Sequence, residues 1–313
     1  MNFNGTAHTV IKAVGKPAFI YGTAWKKEQT ARLVREALAA GFTAIDTAAQ
    51  PRHYREELVG QALREAFKEG KIKREDICLQ TKFTAPQGQD PNDMPYDVSS
   101  DVPTQVRTSV ASSLRNLRPR DDPSSEQESY IDCLLMHSPL GTAQATLQAW
   151  QVLESYVPVQ IRSLGISNVS LPMLEMLYNN SSVKPKVVQN RFYAATRYDG
   201  ALRKFCKERE IVYESFWTLT GNPKLLNNQR LIASLANSAG VSREVALYSL
   251  VMSLGIVPLN GTMSRERMRE DLNGIVRVKE WGEANKGRWE AIVSEFQELS
   301  QGVERSFRAL LRP

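Results

Sequence analysis

The chain is poor in the features that would place it in several large classes. It has three cysteines in 313 residues, Cys78, Cys133 and Cys206. Their spacing fits no metal-ligand pattern and their odd number argues against a disulfide framework, so neither a metal site nor an oxidising compartment is expected. No apolar run approaches the roughly 20 residues that cross a bilayer, which excludes a membrane-spanning helix as a reading of the sequence. Residues 1–16 lack an apolar signal core, so the cytosol is the expected compartment. No Gly-x-Gly-x-x-Gly follows any candidate strand, which counts against a doubly wound sheet. No basic segment is interleaved with aromatics. The 40 Lys and Arg exceed the 34 Asp and Glu by six, but the signs alternate, as in residues 68–76 (KEGKIKRED). That pattern describes solvated helix faces, and no nucleic-acid partner is expected. A mild positive field would suit an anionic cofactor.

What the chain does have is a regular alternation of short apolar strands with amphipathic helices. Strands are expected at residues 19–21, 44–45, 77–83, 130–136, 161–166, 187–188, 212–216 and 256–259. Helices are expected at 28–40, 56–68, 104–117, 145–156, 171–178, 201–210, across Leu231 and 245–253, and at 265–272. Leu33, Ala37 and Leu38 recur at helical spacing, and Gly41 closes that helix. Eight strand–helix units in a row predict parallel strands, and eight parallel strands close a (β/α)8 barrel. The expected architecture is therefore one α/β TIM-barrel domain covering 1–313. Its core spans about 17–275 and a helical tail about 281–313, where Trp289, Ile292 and Phe296 repeat at spacings of three and four and would pack on the barrel wall. Two loops interrupt the rhythm. Residues 84–100 follow a strand, so they belong to the face where βα loops build active sites, and they are read as substrate-facing. Residues 118–128 precede a strand and fall on the opposite face.

Three strands end in a reactive side chain at that same face: Asp46, Lys82 and His137. A lysine at the end of a core strand needs a carboxylate or a task, because burial strips its ammonium of water. Separately, Asp46 could cap a turn, Lys82 could reach solvent and His137 could be a satisfied core histidine. Their coincidence at one barrel end favours chemistry. Tyr54, in the loop after Asp46, adds a phenol. A phenol of pKa near 10 is a weak acid at neutral pH, and an ammonium held by a carboxylate lowers that value. With His137 donating a hydrogen bond to a carbonyl oxygen, these groups suit proton delivery to a carbonyl that accepts hydride.

An ordered series of motifs carries a resemblance: Gly22-Thr23-Ala24-Trp25, Ile45-Asp46-Thr47-Ala48, Gln80-Thr81-Lys82, Leu135-Met136-His137-Ser138-Pro139, Gly165-Ile166-Ser167-Asn168 and Val188-Gln189-Asn190. The sequence resembles the aldo-keto reductases, NAD(P)H-dependent oxidoreductases on a (β/α)8 barrel, and in parts a fungal subgroup. The resemblance implies that Asp46, Tyr54, Lys82 and His137 are a catalytic tetrad. It implies that Ser167, Asn168 and Gln189 hold the nicotinamide carboxamide and that Phe216 stacks on its ring. Gly22, Thr23, Asp46, Leu219, Gly221, Thr262, Ser264, Arg267 and Asp271 complete the implied cofactor contacts, and Arg265 is a further candidate. Trp25, Trp217 and His137, with Phe83, would line the substrate pocket. The sequence departs from the family pattern in three places. Pro51-Arg52-His53 is inserted before Tyr54, which leaves His53 as a competing occupant of the donor position. The loop after Lys82 is long. Gly261-Thr262 stand where many relatives carry the Lys-Ser pair that contacts a 2′-phosphate. Arg267 matches a second phosphate-binding arginine, so NADPH/NADP+ is the expected cofactor, with NADH as the alternative. The expected activity is reduction of a small-molecule aldehyde or ketone by a monomer. The competing expectation is a cofactor-binding regulatory subunit on the same fold.

Overall fold

The computed structural model describes residues 19–300. Eight parallel strands close a barrel in sequential order: β1 (Ile20–Gly22), β2 (Ala44–Asp46), β3 (Cys78–Phe83), β4 (Cys133–Met136), β5 (Leu164–Ser167), β6 (Val187–Arg191), β7 (Val212–Phe216) and β8 (Ile256–Asn260), with β8 pairing back onto β1. The main helices are α1 (Thr30–Ala40), α2 (Glu56–Lys68), α3 (Val102–Asn116), α4 (Ala143–Glu154), α5 (Leu171–Asn180), α6 (Gly200–Glu208), α7 (Ser234–Ala239), α8 (Arg243–Ser253), α9 (Arg265–Ala284) and α10 (Lys286–Ser300). The eight expected strand–helix units are all present. Gly41 closes α1 at φ 112°, a conformation an L side chain resists.

Side chains alternate between the two faces of each strand. One parity points outward. Tyr21, Ile45, Leu79, Phe83, Leu134, Met136, Ile166, Val188 and Tyr213 join the large core between sheet and helices. The other parity points into the barrel, where Ile20, Ala44, Cys133, Leu135, Val187, Val212 and Val257 form a separate apolar plug. Above that plug the inward positions turn polar: Asp46, Gln80, Lys82, Gln189 and Glu214 are each at most 3 % exposed. The barrel therefore has a dry base and a charged upper layer beneath its C-terminal mouth.

Two expectations need correction. The last barrel helix does not stop at 272; α9 runs 20 residues to Ala284. Asn273-Gly274 lies inside this helix, and the glycine is a packing device. A Cβ at Gly274 would lie 2.8 Å from Val245 of α8, so the glycine lets α9 seat against its neighbour. Phe83 is 2 % exposed and belongs to the outer core against Tyr96, so it does not line the mouth. It lies one residue from Lys82, and the period of two sends it to the other face. In the tail, Trp289 and Phe296 are buried and Ile292 packs against the same core, as the spacing predicts. The calls on residues 1–18 and 301–313, at the edges of the expected core and tail, lie outside the described residues. No helix among the described residues is long and apolar enough to cross a membrane.

Candidate active site

Lys82 and Asp46 meet inside the barrel. The Lys82 ammonium donates to Asp46 Oδ1 and Oδ2, both at 2.6 Å, and to the Thr47 carbonyl at 3.0 Å. With side chains 1 % and 2 % exposed, this is a desolvated ion pair rather than a surface one. Burial works against the Lys82 ammonium, but Asp46, Tyr54 and Glu214 outweigh it and raise its pKa. Asp46 Oδ1 also accepts from Gln80 Nε2 at 2.8 Å and Gln189 Nε2 at 3.1 Å.

Tyr54 reaches this pair in spite of the inserted residues. The chain after β2 continues strand-like, with Ala49 bridged to Phe83, and then turns on itself where Gln50 O accepts from both His53 N and Tyr54 N. Two residues later Glu56 is buried at the start of α2. It accepts from Thr81 of β3 and, at 3.0–3.2 Å, from Ser113 and Asn116 of α3. That carboxylate pins the end of the loop to two elements and so fixes where Tyr54 stands. Lys82 Nζ is 5.3 Å from the centre of the Tyr54 ring, and the His137 ring is 5.9 Å from it, edge-on. His53 points elsewhere. Its ring lies 3.8 Å from Trp25, and its Nδ1 bonds Gln50 Oε1 at 2.9 Å. Tyr54, not His53, is the neighbour of Lys82. The phenol pKa is raised rather than lowered, because burial exceeds the opposing pull of the Lys82 charge and hydrogen bond.

His137 stands at the end of β4. Burial, reinforced by the positive charges of Lys82, His53 and Arg191, holds its pKa down at about 3. The imidazole is neutral at any ordinary pH. Its Nδ1 lies 2.7 Å from the Thr84 hydroxyl. With that hydroxyl donating, the ring proton sits on Nε2 and is free to donate. The 84–100 loop is folded back on itself: Tyr96 Oη bonds Thr84 O at 2.6 Å, and Gln89 Nε2 bonds Ala49 O and Thr84 O. It therefore braces the backbone of the residue that orients His137.

At the opposite side of the mouth Ser167 Oγ donates to Gln189 O, and Asn168 Nδ2 donates to His137 O at 2.9 Å. Gln189 Oε1 makes no hydrogen bond among the described residues. Phe216 ends β7, and the Arg191 guanidinium lies 5.1 Å from its ring and 4.6 Å from that of Trp217, with Nη1 donating to Asn168 Oδ1 at 2.9 Å. Trp25 and Trp217, 64 % and 51 % exposed, form the rim. Both are left-handed, at φ 64° and 57°, and Asn168 is too, at 53°. Such conformations cost a bulky residue roughly 1–2 kcal/mol, and three of them follow strands at one mouth. The turn after Trp217 is closed by Gly221, whose N–H donates to Trp217 O; a Cβ there would lie 2.7 Å from that oxygen. Leu219 packs beneath this turn against the core. Thr23 is buried, with its hydroxyl spent on Asp46 O, and Gly22 runs beside the Asn260 carbonyl.

The end of β8 leads to the start of α9. Asn260 Nδ2 donates to Asp271 Oδ2 at 2.6 Å, and burial lifts the Asp271 carboxyl to about 6. Thr262 N returns to Asn260 Oδ1, and Ser264 caps α9 by accepting from Arg267 N. Arg267 is exposed on this helix. Arg265 is not its companion: it lines a surface groove with Glu266, Arg269 and Asn273, some 160° around the helix from Arg267.

Sequence reasoning missed Gln80, Glu214, Arg191, Thr84 and Lys26 as members of this site. Lys26 stands out. Only 6 % exposed, it sends its ammonium across to the Gly261 carbonyl, and among the described residues no carboxylate pairs with it. Burial lowers its pKa to about 8. A lysine thus reaches the position where Gly261 interrupts the family pattern, but from the loop after β1. An uncompensated ammonium beside a capped helix start favours an anion there.

Comparison with known proteins bears on the fold and the family. The chain is 28 % identical over 274 residues to the NAD/NADP-dependent indole-3-acetaldehyde reductase of Schizosaccharomyces pombe, covering 82 % of this chain and 84 % of that protein. Among solved structures it shares its fold with an aldo/keto reductase from Brucella melitensis (TM-score 0.64, 22 % identity, 85 % of this chain and 95 % of that one). A second is an aldo-keto reductase, AKR2E5, complexed with NADPH (TM-score 0.65, 20 % identity, 84 % of each chain). The model of the aldo/keto reductase family matches residues 13–279, and this chain belongs to that family.

Proposed function

We propose that the protein is a carbonyl reductase that uses NADPH, with NADH as a weaker alternative, to reduce an aldehyde or ketone of a small molecule to the alcohol. The observation that carries this reading is the Tyr54 phenol flanked by the buried Lys82 ammonium and the neutral His137 imidazole. The residues present fit the cofactor. Lys26 offers an unpaired cation, Gln189 an unused amide carbonyl, and Phe216 an aromatic face at the mouth. When bound, the reduced nicotinamide supplies the hydride.

The chain's own groups do the rest. Ser167, Asn168 and Gln189 hold the carboxamide, with the Gln189 Oε1 as acceptor. Lys26, Ser264 and Arg267 bind the phosphates, which favours NADPH. His137 donates from Nε2 to the substrate carbonyl oxygen and orients it beside Tyr54. Burial keeps the Tyr54 phenol protonated, and so ready to give a proton, until the oxygen of the reacting carbonyl becomes basic. The Lys82 ammonium then stabilises the phenolate left behind, and Asp46 holds the ammonium in place. Trp25 and Trp217 would contact the substrate and exclude water. The name of the fission-yeast relative, an indole-3-acetaldehyde reductase dependent on NAD or NADP, supports the same reading.

The test is consumption of NADPH, read as loss of its near-ultraviolet absorbance, across a panel of aromatic and aliphatic aldehydes. Turnover of at least one supports the proposal. Tight NADPH binding with no turnover of any would favour the regulatory-subunit reading instead.

A further inference from the structure

Glu214 is a buried acid with no part in the chemistry described above. It sits on β7, 1 % exposed, directly above the apolar plug of the barrel and opposite Gln189 in the β6–β7 register. Its Oε2 accepts from Gln80 Nε2 at 2.7 Å and from Gln189 Nε2 at 2.8 Å. The same two amide groups donate to Asp46 Oδ1. Two carboxylates and two amides thus form a closed ring, each NH2 spanning both acids. This arrangement leaves no freedom in the amide orientations. A carboxamide between two carboxylate oxygens must turn its NH2 toward both, so its carbonyl must turn away.

We propose that Glu214 is a positioning residue: by holding the amides of Gln80 and Gln189 it fixes Asp46 beneath Lys82 and aims the Gln189 carbonyl into the cofactor cleft, and its ionisation sets the charge of the layer on which Lys82 and Tyr54 act. The inference rests on the reductase reading, because it takes Gln189 as a cofactor contact. The charges that face Glu214 are few. Asp46 on β2 is an anion and Lys82 on β3 a cation. Gln80 and Gln189 are neutral, the Cys78 and Cys133 thiols are kept protonated by burial, and the inward residue of β8 is Val257. With Glu214 protonated, the layer is a balanced ion pair. With Glu214 ionised, it carries one net negative charge. Burial, against the two amide hydrogen bonds, places the changeover at about pH 7. The extra negative charge raises the Lys82 pKa and disfavours a phenolate nearby, so proton donation weakens as pH rises through the changeover.

Two variants separate the roles. Glu214→Gln keeps an oxygen for both amides but cannot ionise. Glu214→Ala removes the acceptor and lets Gln189 rotate. NADPH affinity, followed by quenching of tryptophan fluorescence, is expected to fall about fivefold in Glu214→Ala, the worth of one oriented hydrogen bond, and to change less than twofold in Glu214→Gln at pH 6. The pH profile of kcat for reduction is expected to show an inflection near 7 in the unmodified protein and to lose it in Glu214→Gln. The melting temperature of the cofactor-free protein should lose part of its pH dependence in the same variant, a readout that survives if no carbonyl is turned over or if Glu214→Ala does not fold. Unchanged NADPH affinity in a folded Glu214→Ala overturns the positioning role. An inflection or melting profile that persists in Glu214→Gln overturns the charge role. Neither result bears on whether Tyr54 is the proton donor, which is tested separately.

Discussion

Replacing Lys82 by Met should destabilise the protein because of what it leaves behind. Met has nearly the volume of the lysine stem, so little cavity forms. The Asp46 carboxylate, however, keeps only two donors, Gln80 Nε2 at 2.8 Å and Gln189 Nε2 at 3.1 Å, and loses the ammonium that met both its oxygens at 2.6 Å. It has no route to solvent at 2 % exposure. A buried charge stripped of its partner costs about 3–5 kcal/mol. Asp46→Asn alone strands the ammonium and should cost a similar amount. The double variant Lys82→Met/Asp46→Asn leaves neither charge. It should be less destabilised than the sum of the single variants, by about 2–3 kcal/mol at the upper end of measured couplings between contacting residues. Urea unfolding followed by circular dichroism at pH 7 gives the four values, provided the slope is common to all four. All three variants should lose turnover, which separates the stability of the pair from its task. A Lys82→Met protein as stable as the unmodified one, or a double variant whose loss equals the sum, would refute the reasoning that this pair is desolvated and mutually dependent.

Three other outcomes follow from the same geometry. His137 should show no imidazole titration by NMR between pH 5 and 9, since its pKa lies near 3; a resonance titrating near 6.5 that disappears in His137→Asn would contradict this. NADPH affinity should decline as pH rises beyond about 8, where the free Lys26 amine loses its proton, and Lys26→Met should weaken binding by roughly tenfold or more and flatten that decline, as a lost charge-assisted contact would. For Glu214 the sign runs against ionisation. The folded protein holds its proton up to about pH 7, while an ordinary glutamate releases it near 4.5, so stability falls as pH rises between those values. Glu214→Gln should remove up to roughly 3 kcal/mol of that fall, seen as a smaller difference between melts at pH 5 and pH 7.5.

The sequence made the barrel legible because each strand and helix carries its own period, and because Asp46, Lys82 and His137 end strands that read as apolar. Element ends were less legible. Asn273-Gly274 has the composition of a helix stop, and only the position of Val245 shows it to be a close approach. In the site, the period of two would have exposed more than was read from it. Gln80 and Glu214 are two residues before Lys82 and Phe216, and Arg191 two after Gln189, so all three point inward with them. The same count would have turned Phe83 away from the mouth. Other features had no local signal. Lys26 reaches Gly261 from a sequence distance of 235 residues, and the brace of Thr84 by Tyr96 depends on how a long loop folds. The direction of the Tyr54 shift was also beyond the sequence, because it is decided by how much protein surrounds the phenol and not by which charges are near.

The central claim is that Tyr54 gives the proton. Tyr54→Phe keeps the ring between Lys82 and His137 and removes only the hydroxyl. Measured on one preparation, NADPH affinity by fluorescence and steady-state reduction of the best aldehyde should diverge: binding within about twofold of the unmodified protein, and turnover lower by roughly a hundredfold or more, the lower range expected for losing a general acid. Turnover undiminished in a Tyr54→Phe protein that still binds NADPH would contradict the account.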